Sequence, residues 1–168
     1  TIEQFIYPFF EKIGVLWQTG AINPAQEHFV SNLIRQKIIV SIDSVSAKND
    51  PTKDVFLLFL PSSELHEIGL LVYQYILKSR GHRVVYLGQS VPYEDLSMVM
   101  NCIKPKKVVM SITNPFPDGM LQEYINTLHA DFSTLTFFVS GYQFSRETIQ
   151  LPHNFHLHKG LTGFLELL

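Results

Sequence analysis

The apolar positions change period part-way along the chain. Up to about Val45 they recur at helical spacing. Phe5, Phe9, Ile13 and Leu16 lie three or four residues apart and the pattern breaks at Gly20. Pro8 either begins this first helix or kinks it. Asn23-Pro24-Ala25-Gln26 then reads as a second helix start: Asn23 can cap, Pro24 suits the first turn, and Gln26 can reach back as in a capping box. The helix it opens presents Val30, Leu33, Ile34 and Ile38 on one face. Two amphipathic helices cannot bury both apolar faces alone, so they need the rest of the chain, upstream helices or another subunit as partner.

The polar stretch 44–53, with Asn49-Asp50-Pro51, reads as a linker. Beyond it, short apolar runs alternate with helical pattern. The runs at 54–60, 84–87, 107–112, 135–139 and 155–158 predict strands. Helices are predicted near 67–80, 93–103 and 119–130, with shorter ones near 145–149 and 161–168. The first of these is the clearest: Ile68, Leu71, Val72, Tyr75 and Ile76 form one stripe, and Gly81 ends it. Continuous apolar strands alternating with helices predict a parallel sheet covered on both faces. The expected architecture is a five-stranded, doubly wound α/β domain over 53–168, preceded by a helical cap over 1–48 that is part of a bundle.

Length and composition narrow this further. A chain of 168 residues suits one core plus a small appendage, and 46% hydrophobic against 17% charged residues excludes wholesale disorder. The longest apolar strand run, Val55 to Leu60, stops at Pro61, well short of a membrane span. The start, Thr1-Ile2-Glu3-Gln4, lacks an initiator Met and a secretory pattern, so a fragment of a longer, cytoplasmic protein without membrane contact is expected. Thirteen basic against fifteen acidic residues offer no concentrated face for nucleic-acid phosphates. Lys104-Pro105-Lys106-Lys107 reads as a solvated loop. The single Cys102 excludes a disulfide framework and reads as a small core residue on a helix face.

The usual phosphate-loop, dinucleotide-loop and nucleophile-elbow patterns are missing from the sequence. In open α/β sheets ligands bind at the carboxyl ends of strands. Three segments fall there: Pro61-Ser62-Ser63-Glu64-Leu65-His66-Glu67-Ile68-Gly69, Ser111-Ile112-Thr113-Asn114-Pro115 and Ser140-Gly141-Tyr142-Gln143. Small residues at two tips and a histidine at the first suit a bulky ligand. His66 can offer an imidazole nitrogen to a metal while Glu64 accepts the other ring N–H. Gly69 removes a side chain where something large would approach. On spacing alone His66 reads as well as a solvated loop histidine. His153-x-x-His156-x-His158 puts His156 and His158 on one strand face, but with no acidic or thiol partner nearby it reads as an exposed edge strand rather than a metal site.

These residues resemble a family. Glu64-Leu65-His66-Glu67-Ile68-Gly69 is similar to the Asp-x-His-x-x-Gly signature of cobalamin-binding domains, Ser111 stands where that family has Ser-x-Leu, and Ser140-Gly141 where it has Gly-Gly. Trp17 followed by Glu27-His28 resembles the W…EH motif of cobalamin-binding MerR-type transcriptional regulators, including the light-responsive repressors. The resemblance implies a flavodoxin-like fold with the corrin held between the helical cap and the α/β domain. It implies His66 as the lower axial ligand to cobalt. The displaced dimethylbenzimidazole tail would lie near Ser111, Ser140 and Gly141, and Trp17, Glu27 and His28 would sit over the upper face. The implied cofactor is adenosylcobalamin or methylcobalamin, whose cobalt–carbon chemistry is its own. The implied partners are further copies of the chain, and DNA only through an N-terminal domain outside it.

The chain departs from the family at several points. Glu64 replaces Asp, Ser111-Ile112-Thr113 keeps the Ser but not the Leu, and Ser140 adds atoms where the tail must fit. Gln18 stands where the light-responsive repressors place a cobalt-capturing His, a role His28 could take instead. Two helices stand where the family has four. Trp17 also reads as core, Glu27 as a helix-dipole partner and His28 as a surface residue. The leading expectation is a non-enzymatic sensor domain. A corrinoid-carrying part of a methyltransferase or mutase, and a degenerate domain working through protein contacts, are the alternatives.

Overall fold

The computed structural model describes residues 12, 23–46, 52–116, 120–146 and 148–168. The expectations for Phe5, Pro8, Phe9, Ile13, Leu16, Trp17, Gln18 and the Asn49-Asp50-Pro51 linker lie outside the described residues. The helix α1 (Pro24–Ser44) starts as its sequence dictates: the Gln26 N–H donates to Asn23 Oδ1 at 2.9 Å, and the Asn23 N–H donates to Gln26 Oε1 at 3.0 Å. This reciprocal pair satisfies two amide groups that a helix start otherwise leaves open.

The remaining elements alternate. They are β1 (Val55–Pro61), α2 (Ile68–Ser79), β2 (Arg83–Val91), α3 (Tyr93–Ile103), β3 (Lys107–Ser111), α4 (Met120–Asp131), β4 (Thr136–Ser140), the single turn α5 (Gln143–Arg146), β5 (Phe155–Leu157) and α6 (Gly160–Glu166). All strand pairs are parallel, in the order β2-β1-β3-β4-β5. This is the flavodoxin-like doubly wound order.

Alternation along the strands divides the core. Phe56, Leu58 and Leu60 of β1, with Val109 and Phe138, face α2 and α6. Leu57 and Phe59, with Val108, Met110, Phe137 and Val139, face α3 and α4. Because both faces are covered, β1 reads as a continuous apolar run. The cap helix α1 forms an outer layer on α2, burying Ile34, Ile38 and Ile42. Its lower end is fixed where Lys78 Nζ donates to the Ile42 carbonyl at 3.1 Å.

Several expectations are corrected. Leu33 is 45% exposed: among the described residues α1 packs chiefly on α2, through the four-residue stripe Ile34, Ile38 and Ile42, and Leu33 lies beside that stripe. Cys102 is exposed rather than core: α3 turns Leu96 and Met100 to the sheet, and Cys102 lies off that stripe. His158 falls beyond β5 and is buried against Tyr73 and Phe164, so it does not share an exposed strand face with His156. The basic cluster is only partly solvated, with Pro105 buried and Lys106 and Lys107 both paired with Asp54. β2 runs to Val91, four residues beyond its apolar core, through register shifts opposite Phe59 and Pro61.

Candidate functional site

The strand order reverses at β1, which has β2 on one side and β3 on the other. Loops leaving the carboxyl ends of β1 and β3 therefore diverge and leave a crevice between them. One side chain laces these loops together. Glu64, only 2% exposed, accepts from the Thr113 and Asn114 N–H groups through Oε2 at 2.6 and 2.7 Å. Its Oε1 accepts from the His66 N–H at 3.0 Å and faces His66 Nδ1 at 2.6 Å. The Asn114 amide adds a bond to the Ser63 carbonyl at 2.8 Å. Burial opposes ionisation of Glu64. The donors from the His66 ring and from the Asn114, His66 and Thr113 backbone outweigh it and hold the carboxyl down to about 2.

An ionised Glu64 only accepts, so His66 Nδ1 carries the hydrogen, and in the neutral ring Nε2 then carries the lone pair. The imidazole is 58% exposed. Its pKa is raised chiefly by the bond to Glu64, against burial, with smaller contributions from the charges of Glu64 and Glu27. Glu27 belongs to α1, so the cap helix lies close enough to act on this ring. Glu27 accepts from Ser31 Oγ and pairs with the largely exposed His28 at 2.9 Å.

A second buried carboxylate follows directly. Glu67, at the N-cap of α2, accepts from Arg35 Nε of α1 at 2.5 Å through Oε1, and from the Tyr86 hydroxyl of β2 at 2.8 Å through Oε2. Burial and the neighbouring carboxylate push the Tyr86 phenol up, so it stays a donor.

Across the crevice, Ser111 and Ser140 are register partners at the ends of β3 and β4, the first half-buried and the second buried. Gly141 has φ +112°, and a Cβ there would stand 2.2 Å from the Ile112 carbonyl oxygen. Gln143 is buried, donates through Nε2 to the Thr113 carbonyl at 2.9 Å, and has an Oε1 without a partner. Gly69 differs from Gly141: a Cβ there would meet nothing within 4 Å. Leu65 and Tyr142, both 59% exposed, present apolar surface from two of these tips.

The structure therefore brings Glu64 and His66 into contact, sets Gly69 at the start of the following helix, and puts Glu27 within electrostatic reach of His66. Ser111, Ser140 and Gly141 form the adjoining strand tips. Trp17 lies outside the described residues. Arg35, Glu67, Tyr86 and Gln143, together with the amides of Thr113 and Asn114, were not singled out from the sequence. An open cleft of about 640 Å³ between α4 and residues 148–152 touches none of these groups and is lined by amides such as Gln122, Asn126 and Gln150.

A family model described as the B12 binding domain matches residues 1–40. The chain is also 31% identical over 109 residues to the HTH-type transcriptional repressor CarH of Myxococcus xanthus, and 35% identical over 107 residues to its repressor CarA. The resemblance drawn from the sequence stands. These matches take in 65% and 64% of the chain but only 36% and 35% of the repressors, so the chain spans about a third of the length of these curated relatives. Among solved structures, the monomethylamine corrinoid protein of Methanosarcina barkeri superposes with a TM-score of 0.71 at 16% identity, over 99% of this chain and 82% of that one. A cobalamin-binding protein from Desulfitobacterium hafniense gives 0.52 at 14% identity, over 98% and 80%. The five-stranded α/β fold expected from the sequence is the fold these proteins share.

Proposed function

We propose that this chain is a cobalamin-binding sensor domain of a MerR-type transcriptional regulator, whose DNA-binding part lies elsewhere in the protein. The observation that carries the reading is the His66 ring. Its Nδ1–H is locked by a buried, ionised carboxylate, and its Nε2 lone pair is left for a metal. The donor set fits a ligand to cobalt. The open space above Gly69 and the exposed Leu65 and Tyr142 fit a broad, largely apolar ring. The unpartnered Gln143 Oε1, beside Ser111, Ser140 and Gly141, fits a polar tail.

In this reading residues 1–48 form a cap and residues 53–168 the cobalamin-binding domain. His66 would hold cobalt through Nε2, with Glu64 fixing its tautomer and direction. Ser111, Ser140 and Gly141 would hold the cofactor's tail, and Trp17, Glu27 and His28 would contact it from the cap. When bound, adenosylcobalamin or methylcobalamin supplies a breakable cobalt–carbon bond. The protein's part is to ligate, orient and shield, and to pass occupancy to the cap and so to the assembly of copies in the cytoplasm. No helix among the described residues is long and apolar enough to cross a membrane.

The test is a titration with adenosylcobalamin in the dark, followed by the visible spectrum. A change to a histidine-ligated, base-off spectrum in the wild type, lost in His66→Ala, supports the reading. Absence of binding by either protein refutes it.

A further inference from the structure

We infer that Arg35 and Glu67 form a latch that positions the His66 loop and transmits its state to the cap helix; this rests on the cobalamin reading above. The latch has an unusual position. Glu67 is the residue after His66 and opens α2, so any shift of the His66 backbone moves Glu67 with it. Its carboxylate is almost out of solvent, at 7% side-chain exposure, and has one charged partner, Arg35, and one neutral partner, Tyr86. Tyr86 belongs to β2 and Arg35 to the cap helix, so Glu67 joins the sheet to the cap.

Stability alone does not account for this arrangement. Glu67 is buried but the Arg35 side chain is 45% exposed, and an ion pair open to solvent on one side returns little net stability. Removing Arg35 is costly all the same, because the Glu67 charge then stays buried with the Tyr86 hydroxyl as its remaining side-chain donor. The pair therefore acts on geometry: the loop is comfortable only with α1 in the register that brings Arg35 Nε to 2.5 Å from Glu67. Glu27, Ser31 and Arg35 follow at four-residue steps along one stripe of α1. Glu27 acts electrostatically on His66, and Arg35 binds the residue beside it. Farther along the helix Ile38 is fully buried, and the Ile42 carbonyl is tied to Lys78. The polar stripe thus reaches the His66 loop through Arg35, while the apolar stripe anchors α1 to α2. Coupling of this kind is reciprocal: a ligand on His66 tightens the docking of α1, and loosening α1 weakens the ligand by the same factor.

The test compares the wild type with Arg35→Met, which keeps the aliphatic stem but not the charge, with Arg35→Lys as the conservative rescue. In the ligand-free chain, Arg35→Met should speed hydrogen exchange at the His66 and Glu67 amides roughly ten-fold, with residues 107–111 unchanged. With adenosylcobalamin in the dark, it should raise Kd roughly ten-fold and reduce the histidine-ligated share of the spectrum, and Arg35→Lys should recover part of both. Tyr86→Phe gives a second route to the same loop, should Arg35→Met not fold. Exchange and Kd at wild-type values in Arg35→Met would overturn the latch. Failure of the wild type to bind cobalamin would overturn the cobalamin reading instead, and the exchange comparison would still decide whether Arg35 holds the loop.

Discussion

Glu64→Gln changes one atom and should be among the most damaging substitutions in the chain. The carboxylate accepts two backbone N–H groups at one oxygen, and a backbone N–H and the His66 ring at the other. An amide supplies only one acceptor oxygen. Its NH2 must face donors on the other side, which leaves at least the His66 N–H without a partner and drives the ring to the tautomer in which Nδ1 accepts. Against burial, the same four donors lower the Glu64 pKa from its ordinary 4.5 to about 2, which sets the scale of the effect. That difference corresponds to about 3 kcal/mol of stability at neutral pH. The sign follows from linkage. A depressed carboxylate contributes fully above about 4.5, and the contribution fades as pH falls towards about 2. Urea unfolding of both proteins at neutral pH should therefore show Glu64→Gln less stable by about 3 kcal/mol, with the gap narrowing below pH 4.5. A gap under about 1 kcal/mol, or one independent of pH, would refute the account of Glu64 as an ionised strap between the β1 and β3 loops.

Other sites separate fold from function. Gly69→Ala meets open space in the first turn of α2, so the free protein should gain about 0.5 kcal/mol in urea unfolding. The same variant should bind adenosylcobalamin more weakly in a spectral titration, and equal affinity would remove Gly69 from the site. Gly141→Ala puts a Cβ against the Ile112 carbonyl at a positive φ, and should lose about 3 kcal/mol or more whether or not ligand is present. His158 is buried between Tyr73 and Phe164, and burial pushes its pKa below the ordinary 6.5. The unfolded chain takes up that proton first, so this contribution is complete above 6.5 and lost as pH falls; His158→Leu should flatten the pH dependence of the melting temperature over that range.

How much of this was legible in the sequence depended on whether side-chain identity carried the signal. The stripe of α2 and its end at Gly81, which has φ +84°, were legible because packing and chain reversal select residue types directly. The Asn23–Gln26 box was legible for the same reason. β2 was cut short because it is an edge strand. Its far half, Gly88-Gln89-Ser90, meets solvent or a loop and needs no apolar residue. Cys102 was misplaced because neighbouring positions on a helix differ by about 100°, enough to move a residue from core to solvent. Within the site, Glu64 and His66 were legible as a pair because a two-residue spacing in a tight loop lets a carboxylate reach both the ring and the backbone. The other half of the strap was not, since the Thr113 and Asn114 donors are backbone groups that any residue except proline could supply.

The chain's own needs divide the candidate site in two. Gly141 is fully accounted for by the fold, because any side chain there strikes the Ile112 carbonyl. Glu64 is accounted for as well, since its oxygens are filled by four donors from two loops. Other features have no such internal reason. The space over Gly69 is empty, Leu65 and Tyr142 stand apolar in solvent, and His66 Nε2 has no use in holding the loop. Among the described residues, four buried side-chain atoms lack partners, on His82, Tyr124, Gln143 and His158. Of these four only Gln143 bonds the loop after β3, through the Thr113 carbonyl; His158 also follows a strand end, that of β5 at the far edge of the sheet. These leftovers gather at one place, around the reversal of strand order between β1 and β3. A fold that stabilised only itself would have no reason to collect an open glycine, exposed apolar side chains, a tautomer-locked imidazole and an unfilled amide oxygen at the same edge. A ligand with a broad apolar body, a metal and a polar tail answers all four.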